Sequence, residues 1–295
     1  MNSQNRKLLI SLILNLSITI AQFIGGIVSG SLALLSDALH NFSDVVSLVI
    51  TYIACHLSTL PYSEEKTFGW KRAEIIAALF NSVILIAFAV NLIYSAAARL
   101  LEEKYSAVNS TYIMIFAAFS ILVNGISVLL LKKESELNMN IHSSYLHLFS
   151  DMITSVTVLA GGVFIYFLEI YWLDSVLSLV ISFYIIYLSL KLLTKVLKVI
   201  MHFTPTEIDL QSLKRDVCKF PEIENIHHIH IWQLNDREIH FKAHIDFRED
   251  IPLSTVSEIT DQVSNMLRDI YKLNHVVLQP EYGVDDDKNV VIDER

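Results

Sequence analysis

The stretch SDALHNFSD, residues 36–44, places Asp37, His40 and Asp44 inside an otherwise apolar run. Residues four apart share one face of a helix, so His40 and Asp44 point the same way, and Asp37 lies near that face. One charged group at the middle of a bilayer costs at least about 2.5–3.5 kcal/mol. If this run crosses a membrane, the three side chains therefore need compensating partners.

The composition indicates a membrane protein. Hydrophobic residues make up 53% of the 295 residues, charged residues only 18%, and the mean hydropathy is positive. Crossing a hydrocarbon core about 30 Å thick takes about 20 helical residues. Six windows meet this length and predict six transmembrane helices, at residues 8–27, 32–57, 75–97, 112–131, 146–167 and 172–199.

The distribution of Lys and Arg predicts the orientation of the six spans. Basic residues precede the first span, separate the second from the third, and follow the fourth and the sixth. Segments of this kind stay in the cytoplasm, so we expect both termini to be cytoplasmic. Arg99 and Lys104 are mild exceptions. We expect no signal peptide before the first span, because a second apolar segment follows it at once, and Cys55 and Cys218 form no metal or redox motif.

After residue 200 the sequence has the mixed polar and apolar pattern of a small α+β domain. Two helical patterns and three strand patterns follow one another in the order αββαβ. We expect a transmembrane domain over residues 1–200, a cytoplasmic domain over residues 201–283, and a disordered acidic tail over residues 284–295.

A second ionisable pair lies in the fifth span, where His147 and Asp151 repeat the four-residue spacing of His40 and Asp44. Two imidazoles and two carboxylates suit tetrahedral Zn²⁺, whereas Mg²⁺ and Ca²⁺ prefer shells of oxygen alone. The alternative is a hydrogen-bonded network that holds the helices together, and the presence of two matching pairs favours the metal site.

Five segments together resemble the cation diffusion facilitators, a family of proton-coupled zinc exporters. They are SGSLALLSDALHNFSD (29–44), TFGWKRAEI (67–75), YLHLFSD (145–151), IHHIHIW (226–232) and LQPE (278–281). The resemblance implies a homodimer, a ferredoxin-like cytoplasmic domain, and a transport site of His40, Asp44, His147 and Asp151. Two histidines in that site go with zinc in this family.

The resemblance also implies a regulatory zinc site in the cytoplasmic domain, built from His227, His244 and Glu281. The family often has a ligand where this chain carries Gln279 or Asn274, and neither side chain is a good zinc ligand. The long His-rich loop of many eukaryotic members is missing between the fourth and fifth spans. Its absence and the short N-terminus point to a bacterial cytoplasmic membrane.

These observations predict an antiporter that exports Zn²⁺ in exchange for protons, with Cd²⁺ and Co²⁺ as further candidate substrates. Neutral histidine binds metal and titrates near pH 6.5, so metal and protons compete for the same site. The expected partners are divalent ions, protons, lipid and a second copy of the chain, with no nucleic acid. An intramembrane zinc hydrolase would need an open coordination position and a motif such as HExxH, which the chain lacks. A zinc sensor that does not transport is the other alternative.

Overall fold

A computed structural model describes residues 3–58, 63–102, 108–135, 139–235, 238–285 and 287–291. Side chains are described for residues 13–46, 49, 57, 63–102, 108–130, 132, 148–235, 238–285 and 287–291. The element order is six long helices followed by a small α+β domain. This architecture confirms the predicted fold class.

The six helices are 26 to 30 residues long, or about 39–45 Å at 1.5 Å per residue. They are α1 Ser3–Ser29, α2 Leu32–Ser58, α3 Ala73–Leu101, α4 Ser110–Ser135, α5 Met139–Leu168 and α6 Trp172–Ile200. Within the described residues, α3 to α6 are long and apolar enough to cross a bilayer, and α1 contributes a shorter apolar segment, Ile13–Ser29. Each helix covers one of the predicted windows.

The chain divides into two compact units. The helical unit comprises residues 1–55 and 77–193, and the sheet unit comprises residues 56–76 and 194–295. Side chains such as Leu34, Ile113 and Val158 form the buried centre of the helical unit. Large apolar side chains, among them Phe80 and Phe167, remain exposed on its outside. A bilayer would cover such a surface.

The N-terminus of α2 is capped by a carboxylate from another helix. Asp174, in the first turn of α6, accepts hydrogen bonds from the backbone N–H groups of Leu32 and Ala33, at 2.8 and 3.3 Å, and from the Ser31 hydroxyl. The first N–H groups of a helix have no partner within the helix. Asp174 therefore caps α2 from α6, and it is 1% exposed.

The sheet unit contains α7 Leu210–Val217, β1 Ile223–Gln233, β2 Ile239–Phe247, α8 Leu253–Tyr271 and β3 His275–Glu281. The strands lie in the order β1-β2-β3, with β1 and β2 antiparallel and β2 and β3 parallel. The core is formed by α7, α8 and the inner sheet face and includes Leu213, Ile226, Phe241, Val263 and Leu267. The predicted αββαβ order is confirmed.

The segment that follows β3 runs along the free edge of β1. Backbone N–H groups of His228 and Ile229 donate to the carbonyl oxygens of Asn289 and Val290, at 3.2 and 2.8 Å. Val290 also packs against the hydrophobic core. The sequence predicts a disordered tail here, whereas these described residues cover a strand edge.

Candidate metal sites

The first candidate site lies inside the helical unit, where α2 meets α5. His40 and Asp44 from α2 and Asp151 from α5 each offer a ligand atom, and these atoms lie within 4.8 Å of one another. The Nε2 atom of His40 is 3.2 Å from Oδ1 of Asp151. The Asp151 side chain is fully buried and that of His40 is 11% exposed. His147 lies one turn before Asp151 in α5, but its side chain falls outside the described residues.

The chemistry of this trio suits a divalent cation. Ligands 2.0–2.2 Å from a tetrahedral Zn²⁺ stand about 3.3–3.6 Å apart, so the spacing of the three atoms needs only a small contraction. When the imidazole is neutral and both carboxylates are ionised, the trio carries two negative charges, which a bound cation would offset. Three of the four predicted transport ligands thus lie together.

A buried polar network lies on the neighbouring turn of the same helices. The Gln22 amide of α1 donates to Oδ2 of Asp37 on α2, and the Ser155 hydroxyl of α5 donates to the same oxygen, at 3.1 Å. Ser120 of α4 joins the network through Ser155, at 2.8 Å, and through Gln22, at 3.2 Å. Asn41 donates to Oε1 of Gln22, at 2.6 Å. Every member is 0% exposed.

This network defines the role of Asp37 within the fold. Asp37 is completely buried among these polar side chains, so it is not an acid solvated at a helix end. Sequence reasoning missed Gln22, Ser120 and Ser155. Single polar residues in apolar helices were the available signal, since such residues face the interior and find partners on other helices.

The second candidate site lies in the sheet unit. His227 on β1, His244 on β2 and Glu281 on β3 offer ligand atoms within 4.8 Å of one another. Oε1 of Glu281 is 2.8 Å from Nδ1 of His244, and Oε2 is 3.5 Å from Nε2 of His227. The structure thus brings together the three side chains that the resemblance implied.

A β-bulge places His227 in this site. Strict alternation along β1 groups His227 with Ile229 and Ile231, away from the polar face of β2. In the structure His227 pairs with His244, the register then shifts, and His228 adopts a left-handed φ of 50°. The extra residue of the bulge reverses the alternation. His227 therefore shares the polar face with His244, while Ile231 still faces the core.

The electrostatics of this site favour a neutral imidazole at His244. Burial lowers the pKa of His244, the adjacent Glu281 carboxylate raises it, and His228 and His227 lower it further, for a net decrease. A histidine with a lowered pKa is unprotonated at neutral pH, which is the form that binds metal. The site can therefore accept a cation without first losing a proton from His244.

Gln279 and Asn274, at which the chain departs from the family pattern, make different contacts. The Gln279 amide donates to Oε1 of Glu281, at 2.9 Å, and so borders the site. Asn274 instead exchanges hydrogen bonds with the backbone of Ile239 and holds the start of β2. His240, on β2, is buried at 6% exposure, and its ring stacks on that of Trp232.

Six long helices with an acidic, histidine-containing site in their interior define a membrane transporter of metal cations. Comparison with known proteins identifies the family: residues 8–201 match the cation efflux transmembrane domain, and residues 205–282 match the cation efflux protein cytoplasmic domain. The chain belongs to the cation efflux family. It is a multi-pass membrane transporter and not an enzyme.

Bacterial relatives match almost the full length of the chain. The metal cation efflux system protein CzcD of Cupriavidus metallidurans is 31% identical over 276 residues, which cover 94% of this chain and 86% of the relative. The zinc transporter ZitB of Escherichia coli is 29% identical, with 94% and 87% covered. The cadmium, cobalt and zinc/H(+)-K(+) antiporter of Bacillus subtilis is 30% identical, with 98% and 93% covered.

Proposed function

We propose that the protein exports Zn²⁺ from the cytoplasm in exchange for protons by alternating access. The observation that carries the proposal is the meeting of His40, Asp44 and Asp151 in the interior of the helical unit. We place His147 in the same shell, because it lies one turn from Asp151 on α5. Zinc suits this mixed set of nitrogen and oxygen ligands, and Cd²⁺ and Co²⁺ are further candidates.

Proton coupling follows from the chemistry of the ligands. A histidine must be unprotonated to bind metal, so metal loading releases protons and protonation releases metal. A site that opens first to the cytoplasm and then to a more acidic exterior would load zinc on one side and exchange it for protons on the other. The transmembrane proton gradient then drives export.

The relatives and the charge distribution support a choice of membrane and of orientation. The named relatives are bacterial, which supports a bacterial cytoplasmic membrane. Lys and Arg are in excess before the first span, between the second and third spans, and after the fourth and sixth spans. This distribution supports cytoplasmic termini. We further propose a homodimer, with a transmembrane domain over residues 1–200, a cytoplasmic domain over residues 201–283 and a tail over residues 284–295.

Flux measurements test the transport function. Proteoliposomes with an internal zinc dye and an internal pH dye should show zinc uptake together with proton efflux, and an imposed proton gradient should accelerate the uptake. Asp44→Ala should abolish both signals, whereas Asp261→Ala, which removes an exposed acid from α8, should leave them unchanged. Zinc flux at the wild-type rate in Asp44→Ala would contradict the site, and no flux in the wild type would favour the sensor or the hydrolase.

His227, His244 and Glu281 support a second role for zinc, as a regulatory ligand of the cytoplasmic domain. The three residues come from three strands, so a metal ion that binds them would tie β1, β2 and β3 together. Three protein ligands leave one tetrahedral position for water or another side chain.

A further inference from the structure

The segment after β3 lies outside the matched cytoplasmic domain, which ends at residue 282. Within it, Asn289 and Val290 pair with the edge of β1 through two backbone hydrogen bonds. These bonds involve the N–H groups of His228 and Ile229, directly after His227. The segment is therefore fixed beside the second candidate metal site.

Lys288 connects this segment to the site through one carboxylate. Its Nζ atom donates to Oδ1 of Asp246, at 2.8 Å. The other oxygen of Asp246, Oδ2, lies 3.1 Å from Nδ1 of His227. The Asn225 amide reaches Oδ2 of Asp246 and the backbone oxygen of Lys288, both at 3.4 Å. Lys288, Asp246 and His227 thus form a continuous series of contacts.

The two ring nitrogens of His227 face different carboxylates. Nε2 faces Glu281, a fellow candidate ligand, and Nδ1 faces Asp246. When the Nε2 atom of a histidine binds metal, Nδ1 carries the proton, and a carboxylate at Nδ1 fixes the tautomer and the ring orientation. Asp246 stands in that position, and Lys288 holds its other oxygen.

We infer that residues 288–290 position the metal site: Lys288 orients the Asp246 carboxylate, and Asp246 orients His227 for zinc. The inference rests on the proposed binding of zinc by His227, His244 and Glu281. Asp246 and Lys288 are positioning residues and do not themselves bind the metal. The tail thereby sets the zinc affinity of the domain.

A simple surface ion pair is the alternative reading of Lys288, whose side chain is 38% exposed. Such pairs contribute little to stability. A positioning role instead predicts a change in zinc affinity that exceeds any change in melting temperature, and it predicts rescue by a residue that can still donate to Asp246.

Zinc affinity of the full-length protein in detergent tests the inference. Asp44→Ala and Asp151→Ala are introduced together, so that the intramembrane ligands do not contribute. In this background, competition with a zinc chelator should show that Lys288→Met weakens binding about tenfold, the lower end of the range for residues that orient metal ligands. Lys288→Arg should retain the affinity. Val290→Asp, which detaches the segment from the core while keeping Lys288, should reproduce the loss.

Two further variants make the result decisive. Lys219→Met removes another exposed lysine–aspartate ion pair, which Lys219 forms with Asp216 near the C-terminal end of α7. This variant should leave the zinc affinity unchanged. His244→Ala should remove the measured zinc binding altogether. One result would overturn the inference and keep the metal site. In that result His244→Ala abolishes zinc binding, but Lys288→Met and Val290→Asp bind zinc as tightly as the protein that carries only Asp44→Ala and Asp151→Ala. If His244→Ala changes nothing, the site itself is wrong and the inference is overturned with it.

Discussion

His40 on α2 and Asp151 on α5 lie 3.2 Å apart, between Nε2 of the imidazole and Oδ1 of the carboxylate. The two residues are 111 positions apart in the sequence, which is the difference between 151 and 40. Their contact joins two helices at the candidate transport site. In the proposed site, a bound cation would take a nitrogen ligand from α2 and an oxygen ligand from α5.

His40→Asp should broaden the ion selectivity of transport toward harder ions such as Mn²⁺. The substitution exchanges the imidazole of His40 for a carboxylate, and oxygen ligands suit harder cations. Competition between ions for transport into proteoliposomes measures the change. His275→Asp makes the same exchange at an exposed position on β3 and should leave selectivity unchanged. An unaltered ion profile in His40→Asp would argue against His40 as a ligand.

Asp37→Ala should destabilise the helical unit by about 1–3 kcal/mol, because buried donors lose their acceptor. Oδ2 of Asp37 accepts from both Gln22 and Ser155, so the substitution affects three helices at once. Asp37→Asn keeps an acceptor oxygen in place and should lose less stability than Asp37→Ala. The melting temperature of the detergent-solubilised protein provides the measurement. Equal melting temperatures for Asp37→Ala and the wild type would show that the network does not support the fold.

Asp174→Ala should also lower the melting temperature, by removing the cap that α6 places on α2. Loss of a helix cap costs about 0.5–2 kcal/mol. The matched variant is Asp174→Asn, whose amide oxygen can still accept from the N–H of Leu32. We therefore expect Asp174→Asn to melt closer to the wild type. If the two variants melt together, the charge of Asp174 matters and the hydrogen bonds to α2 do not.

The sequence predicted most of the fold because its signals are local. Apolar windows marked the long helices, and the four-residue spacing placed His40 beside Asp44 on one face. The position of His227 could not be obtained in this way, since the bulge that turns it depends on pairing with β2. Asp174 likewise gave no signal beyond an acid near the start of a helix, because its partners lie about 140 residues earlier.

The contact between Arg72 and His202 predicts a pH dependence within the sheet unit. Burial lowers the pKa of His202, and the Arg72 guanidinium lowers it further. His202 accepts a hydrogen bond from Arg72 only while it is neutral. Because the folded protein holds this proton less well than the unfolded chain, the stabilising contribution is present above pH 6.5 and is lost as the pH falls below that value.

His202→Gln tests this dependence, since glutamine can accept from Arg72 and does not titrate. Melting temperatures measured from pH 7.5 to pH 5 should fall less for His202→Gln than for the wild type. His240 and His244 also have lowered pKa values, so part of the decline should remain in the variant. Parallel curves for the two proteins would show that His202 does not contribute to it.

His244→Ala should remove the stabilisation that zinc gives to the proposed cytoplasmic site. A ligand that binds only the folded state stabilises it by RT ln(1 + [L]/Kd), about 2.7 kcal/mol at a hundredfold excess over Kd. We expect full-length protein carrying Asp151→Ala to melt at a higher temperature with zinc than with a chelator, and addition of His244→Ala should abolish most of the difference. His275→Ala removes an exposed histidine from the same sheet and should preserve it. If zinc and chelator give the same melting temperature before His244 is changed, the three strands do not share a metal ion, and the cytoplasmic domain acts without one.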